Sequence, residues 1–151
     1  MYTIQHEITL PPLSRGFHLI TQKIIHAMPE IQKFAMGTMH VFIKHSSASI
    51  SINENTDPAV RVDFENYFSR LIPDDSHYFT HSSEGSDDMP AHIKASLLGS
   101  SVTIPITKGR LNMGIWQGIY LGEHRNYGTS RTLVVTIIGV RASSIKPKEA
   151  S

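Results

Sequence analysis

Thr38-Met39-His40-Val41-Phe42-Ile43-Lys44-His45-Ser46-Ser47-Ala48-Ser49-Ile50-Ser51-Ile52-Asn53-Glu54 is the stretch on which the fold turns. Side chains alternate across a β-strand, so Met39, Val41 and Ile43 share one face, and His45 falls on that face at the strand's end. After Ser46-Ser47 the alternation resumes, with Ile50 and Ile52 on one side, Ser49, Ser51 and Asn53 on the other, and Glu54 continuing the apolar side. Two successive strands thus each end in an ionisable side chain aimed at the core.

Working outward, residues 2–10 alternate as a half-buried strand closed by Pro11-Pro12. From Phe17 the set Phe17, Ile20, Ile24, Ala27, Met28 and Ile31 recurs at helical spacing, with Pro29 stopping or kinking the helix, and a strand follows Gly37. Asp57-Pro58 reads as an N-cap with proline in the first turn; Val60, Phe64, Tyr67, Phe68 and Leu71 then form a helical stripe ending at Pro73. Residues 74–88 read as a polar, acidic loop carrying His77 and His81, long enough to point to function. A short helix opens at Pro90, with His92 in its first turn, Ile93 and Leu97 one turn apart, and Gly99 as its stop.

Three strands finish the domain: Val102 to Ile106, Ile115 to Leu121, and Thr132 to Val140, whose nearly continuous apolar run predicts burial on both faces. Lys108-Gly109-Arg110 is the turn between the first two. The order β-α-β-β-α-α-β-β-β with short connections predicts a single α+β domain over residues 1–142, its mainly antiparallel sheet or sandwich-like core covered by helices. A polar tail, 143–151, follows.

Composition narrows the class. At 151 residues, 40% apolar and 18% charged, the chain can bury a core of its own and lacks the polarity of a disordered protein. A net charge of +1 gives no bulk attraction to nucleic acid or to an anionic membrane. The absence of cysteine removes disulfides, zinc ribbons and thiol nucleophiles and suits a reducing compartment. The N-terminus lacks a signal-peptide pattern, and no apolar run reaches the roughly 18 residues of a spanning helix, so a cytoplasmic location is expected.

No P-loop, dinucleotide fingerprint, His-Glu-x-x-His or nucleophile elbow occurs, so no nucleotide cofactor is expected and the site must be composite. Its candidates are His45, Glu54, Asp87, Asp88, His92, Glu123 and His124, which come from separate elements and are expected to meet at one end of the sheet. Imidazoles suit zinc, and carboxylates add the oxygen ligands preferred by magnesium or manganese. Each candidate also has a structural reading: His45 as a hydrogen-bonded core histidine, Asp87 and Asp88 at a helix N-terminus, Glu123 paired with Arg125 or Arg131. Trp116-Gln117 could stack and hydrogen-bond a flat ring, or Trp116 could anchor the core from a strand. His6, His18, His26, His77 and His81 have no clear companions and read as surface or packing residues.

Taken together, Ser14-Arg15-Gly16-Phe17-His18, His45-Ser46-Ser47-Ala48, Asn53-Glu54-Asn55, Asp57-Pro58, Asp87-Asp88-Met89-Pro90-Ala91-His92 and Leu98-Gly99 resemble the YjbQ-like family of small proteins. Its signature runs from Ser101 through Ile104-Pro105-Ile106, Gly109, Gly114, Trp116-Gln117 and Ile119 to Glu123-His124-Arg125. Ser46 and Ile115 stand where the family usually has threonine; Ser46 keeps the hydroxyl and Ile115 loses it.

The resemblance implies a sandwich-like α+β fold, a homotrimer, a divalent metal near the histidines, and a cleft holding His45, Glu54, Asp88, His92, Trp116, Gln117 and Glu123. Some members show a secondary thiamine-phosphate synthase activity, joining a pyrimidine methyl diphosphate to a thiazole phosphate and releasing pyrophosphate. On that reading, zinc or magnesium held by some of His45, His92, Asp88 and Glu54 would bind the diphosphate, Arg125 or Lys108 would assist, and Trp116 with Gln117 would position the pyrimidine. Asp88, Glu54, Glu123 and His45 are then the catalytic candidates and a small phosphorylated metabolite the partner. The chain is too short for a (β/α)₈ barrel, which needs about 250 residues. The rivals are a metal-dependent hydrolase or lyase on another phosphorylated metabolite, and a metabolite-binding module without turnover.

Overall fold

The computed structural model describes residues 1–142, and the polar tail at 143–151 lies outside the described residues. In chain order the elements are β1 (Tyr2–Leu10), β2 (Gly16–Leu19), α1 (Thr21–Ala27), a 3₁₀ turn (Pro29–Lys33), β3 (Phe34–Ile43), β4 (Ala48–Glu54), α2 (Pro58–Leu71), α3 (Asp88–Leu98), β5 (Ser101–Thr107), β6 (Arg110–Leu111), β7 (Gln117–Glu123) and β8 (Arg131–Arg141). The strands form a five-stranded sheet in the order β1-β8-β3-β5-β6 and a three-stranded sheet in the order β2-β7-β4. Every pairing is antiparallel, and one continuous apolar cluster joins the two sheets. The α+β class, antiparallel character and single core therefore stand.

The opening stretch divides between the sheets. β3 places Met39, Val41 and Ile43 in the core, while β4 pairs with β7 in the other sheet, so Ser46-Ser47 is a crossing from sheet to sheet. His45 lies past the end of β3 and is half-buried. The aligned apolar residues from Phe17 to Ile31 are not one helix. Phe17 belongs to β2, pairs with Gly122 and packs its ring against Phe64 and Phe68; only residues 21–27 are α-helical, and Pro29 turns the chain into the 3₁₀ segment. Sheet pairing at Phe17 overrides a spacing that was helical by coincidence.

Asp57 caps α2 as expected, its side chain accepting the Ala59 amide at 2.9 Å. The stripe beyond is not a core face: Phe64 and Phe68 reach Phe17, whereas Tyr67 and Leu71 stay 63% and 54% exposed. α3 begins two residues before Pro90, so His92 sits in its second turn. Its buried face is Asp88, Pro90, Ala91, Lys94 and Ala95, while Leu97 points outward. The run in β8 is fully buried on one face only; on the other, Val134 and Thr136 are half-buried and Ile138 is exposed, because no helix among the described residues covers the outer face of the larger sheet. β7 begins at Gln117, leaving Ile115 and Trp116 outside the strand and 81% and 60% exposed. Trp116 is accordingly not a core anchor.

Candidate functional site

Asp88 and His92 are one helical turn apart on α3, a spacing that stacks side chains on the same face. Ser46, at the crossing between sheets, accepts a hydrogen bond from His92 Nδ1 at 2.9 Å through its carbonyl. That bond commits Nδ1 as a donor and leaves Nε2 turned toward Asp88 Oδ2, 3.2 Å away. From the 74–88 loop, His81 brings its Nε2 to 2.7 Å from the same oxygen. The ligand atoms of His81, Asp88 and His92 all lie within 4.8 Å of one another, with Asp88 buried and the imidazoles reaching solvent.

The other Asp88 oxygen accepts from Arg125 Nη1 at 2.6 Å. Arg125 also donates to Asp87 Oδ2 and, through Nη2, to the Glu84 carbonyl, so it fastens the loop, the start of α3 and the segment after β7 together. Burial pushes the Asp88 carboxyl up, but the His81 hydrogen bond and the neighbouring His92 and Arg125 outweigh it and hold it below the usual value. Asp87 is likewise held low: burial raises it, and the Asn126 amide and Arg125 more than compensate. Asp87 thus serves Arg125 and makes no side-chain helix cap.

His45 Nε2 accepts the Thr132 amide at 2.8 Å, which puts its proton on Nδ1 and leaves the neutral ring no lone pair for a metal. Burial and then the charge of Arg131 push its pKa down, favouring that neutral form. His45 and His92 line one cavity of about 290 Å³ with Ser46, Ala95 and Ser96, and Asp88 and His81 are not part of its lining, so His45 stands beside His92 with Nδ1 as its donor and outside the ligand set.

Glu123 is fully buried. Arg131 holds its two oxygens at 2.8 and 2.5 Å, the Arg125 amide adds a third bond, and a Cβ at Gly128 would lie 2.0 Å from the carboxylate. Beneath α3, Ser49 meets His124 Nε2 at 2.8 Å, while His124 Nδ1 and Lys94 Nζ are buried without a partner. Burial, with Lys94 nearby, drives the His124 pKa down to about 3, and burial also lowers that of Lys94.

Glu54, Trp116, Gln117 and Lys108 stand elsewhere. In the β4–β7 register Ala48 faces Glu123 and Glu54 faces Gln117, which separates the two ends by about 20 Å at ~3.3 Å per residue. Glu54 accepts the Thr56 and Asp57 amides ahead of α2, and Gln117 Oε1 accepts the Gly114 amide at 2.8 Å. One chain therefore assembles Asp88, His92 and Arg125, with His45 across a shared cavity from His92, and leaves the Glu54–Gln117 group at the opposite end. His81, read from the sequence as a surface or packing residue, completes the cluster; the Asp-x-x-x-His turn of Asp88 and His92, preceded by a loop histidine, is the signal that could have found it.

The fold and this cluster define a small two-sheet α+β protein carrying a two-histidine, one-carboxylate centre. The family model for UPF0047 protein YjbQ-like matches residues 6–140. The chain is 47% identical over 135 residues to UPF0047 protein YjbQ of Escherichia coli O157:H7, covering 89% of this chain and 97% of that one. It is 41% identical over 137 residues to a UPF0047 protein of Synechocystis, covering 89% and 92%. A crystal structure of an uncharacterised YjbQ/UPF0047 family protein from Clostridium acetobutylicum superposes with a TM-score of 0.77 at 38% identity, over 88% of this chain and 99% of that one. A YjbQ-like protein from Sulfolobus solfataricus, at 23% identity and TM-score 0.80 over 91% and 98%, shares the fold. The chain belongs to the YjbQ-like UPF0047 family.

Proposed function

We propose that this protein is a metal-dependent enzyme acting on a phosphorylated metabolite, with thiamine-phosphate formation from a pyrimidine methyl diphosphate and a thiazole phosphate as the reaction to assay first. The observation that carries it is the convergence of His81 Nε2, Asp88 Oδ2 and His92 Nε2 within 4.8 Å. Two imidazoles and a carboxylate suit zinc better than magnesium, which favours an all-oxygen shell. The Ser46 carbonyl behind His92 and the Arg125 guanidinium behind Asp88 are the outer partners that orient such ligands. When bound, the cation would supply charge neutralisation for a departing diphosphate.

His45 favours transfer over water activation. With Nε2 occupied by the Thr132 amide, its Nδ1–H is a donor suited to a diphosphate oxygen and cannot serve as a base. Arg125, with donors on Asp87, Asp88 and Glu84, acts in this proposal by positioning Asp88. Trp116, Gln117, Lys108 and Glu54 take no part in the metal-centred step within one chain.

A homotrimer and a cytoplasmic location complete the proposal. The outer face of the larger sheet exposes Met36, Phe42 and Ile138, apolar surface that further copies would cover, and no helix among the described residues is long and apolar enough to cross a membrane. Sedimentation equilibrium tests the first point.

Elemental analysis with zinc and manganese titration of the wild type, His81→Ala and His92→Ala tests the centre. Stoichiometric metal, lost in both variants, is expected, together with metal-dependent pyrophosphate release that falls at least about 100-fold in His92→Ala. A wild type that binds no metal, or variants that retain full turnover, would sink the proposal.

A further inference from the structure

The cavity at the far end of the smaller sheet has a chemistry of its own. It encloses about 580 Å³ between α1, the 3₁₀ turn, the β5–β6 hairpin and the segment entering β7. That volume is in the usual range for a small-molecule site, roughly 300–1,000 Å³. Ile25, Leu111 and Met113, all half-buried, give it an apolar wall.

Lys108 and Arg110 stand at its other side, and no carboxylate lines it. None of the ion pairs among the described residues involves either cation. The hairpin that presents them is fixed: Lys108 and Gly109 both have positive φ, 50° and 75°, and their amides donate to the Ala35 and Phe34 carbonyls at 2.7 and 2.8 Å. A Cβ on Gly109 would lie 2.8 Å from the Gln32 carbonyl oxygen, so the hairpin packs directly on the 3₁₀ turn.

The amides are committed in one direction. Gln117 Oε1 accepts the Gly114 amide, which leaves Nε2 as its free group, a donor. Asn55 spends Nδ2 on the Ile115 and Gln117 carbonyls, tying the segment that carries Trp116 to the start of α2. Two unpaired cations, an oriented amide donor and an apolar wall, without a carboxylate, select one kind of ligand.

We infer that this cavity is a second binding site, for a small organic anion that sets a phosphate or carboxylate head on Lys108, Arg110 and Gln117 Nε2 and an apolar body on Ile25, Leu111 and Met113. It is independent of the proposed metal centre, which lies about 20 Å away along the β4–β7 register. Its ligand therefore binds without metal.

Titration of the full chain with phenyl phosphate, by calorimetry and by the fluorescence of the single tryptophan, tests it. Saturable one-site binding is expected, unchanged by chelator and in His92→Ala, and tighter than that of inorganic phosphate because of the apolar wall. Lys108→Asn combined with Arg110→Gln should weaken it at least about tenfold, asparagine being tolerated at positive φ and both side chains being exposed. No saturation in the wild type, equal binding by the double variant, or equal binding of inorganic phosphate would overturn the inference. Loss of binding on chelation or in His92→Ala would put the anion on the metal centre and overturn it as well, whereas a failed metal titration leaves the expected result here unchanged.

Discussion

Asp88 and Glu123 are both buried carboxylates next to arginines, yet their surroundings give them opposite capacities. Asp88 spends one oxygen on Arg125 and turns the other to His81 and His92. Both Glu123 oxygens are held by Arg131 and the Arg125 amide, with the Gly128 backbone closing the remaining approach. Removing one member of a buried ion pair strands the other charge, at a cost of about 3–5 kcal/mol. Glu123→Gln is therefore expected to lower the free energy of unfolding by about 3 kcal/mol, with metal affinity of the folded protein unaltered; denaturant titration beside metal titration would check both. A stable Glu123→Gln protein that has lost only its metal or its turnover would contradict the structural role. At the same scale, a Cβ at Gly128 would sit 2.0 Å from Glu123 Oε1, so Gly128→Ala should lower the melting temperature by several degrees, about what 1–3 kcal/mol of overpacking produces in a domain of this size.

At the scale of elements, the connections do more to place the chemistry than the strands and helices. α2 follows β4 through Asn55-Thr56-Asp57, where Glu54 accepts two amides and Asp57 caps the helix. Since α2 buries no residue fully, its start depends on these bonds more than on packing. Asp57→Ala should cost about 1 kcal/mol and Asp57→Asn little, as read from urea midpoints. Alternation and capping made β1, β3, β5 and α2 legible in the sequence, since long periodic segments declare their own class. β2 and β6, four and two residues long, are too short to show a period, and β2 hid inside a helical spacing that ran through Phe17. The site was legible in the same uneven way. Asp88 and His92 are one helical turn apart and visible locally, but His81 meets them only through the path of a loop. The separation of Glu54 and Gln117 from Glu123 follows from a strand register that local patterning does not encode.

For the molecule as a whole, two sheets close over one apolar cluster, yet Lys94 and His124 are buried beneath α3 with polar atoms that have no partner. Burial drives the His124 pKa from 6.5 to about 3, so between those values the unfolded chain binds a proton that the folded protein refuses. Stability rises with pH wherever the unfolded state holds more protons; the His124 contribution is complete above pH 6.5 and is lost steadily as the pH falls toward 3. His45, also lowered, adds the same sign just below its ordinary 6.5. Asp87 and Asp88 act in a separate window: their stabilisation is present above the ordinary 3.8 and disappears as the pH falls through their lowered values. For one fully shifted histidine the loss is about 1.4 kcal/mol per pH unit, or roughly 2 kcal/mol between pH 7 and pH 5. Urea unfolding at those two pH values should reveal that loss in the wild type and a much smaller one in His124→Asn, which keeps a polar side chain for Ser49 but does not titrate. An undiminished loss in His124→Asn would place the acid sensitivity in another group, and unchanged wild-type stability down to pH 5 would mean that His124 accepts its proton in the folded state.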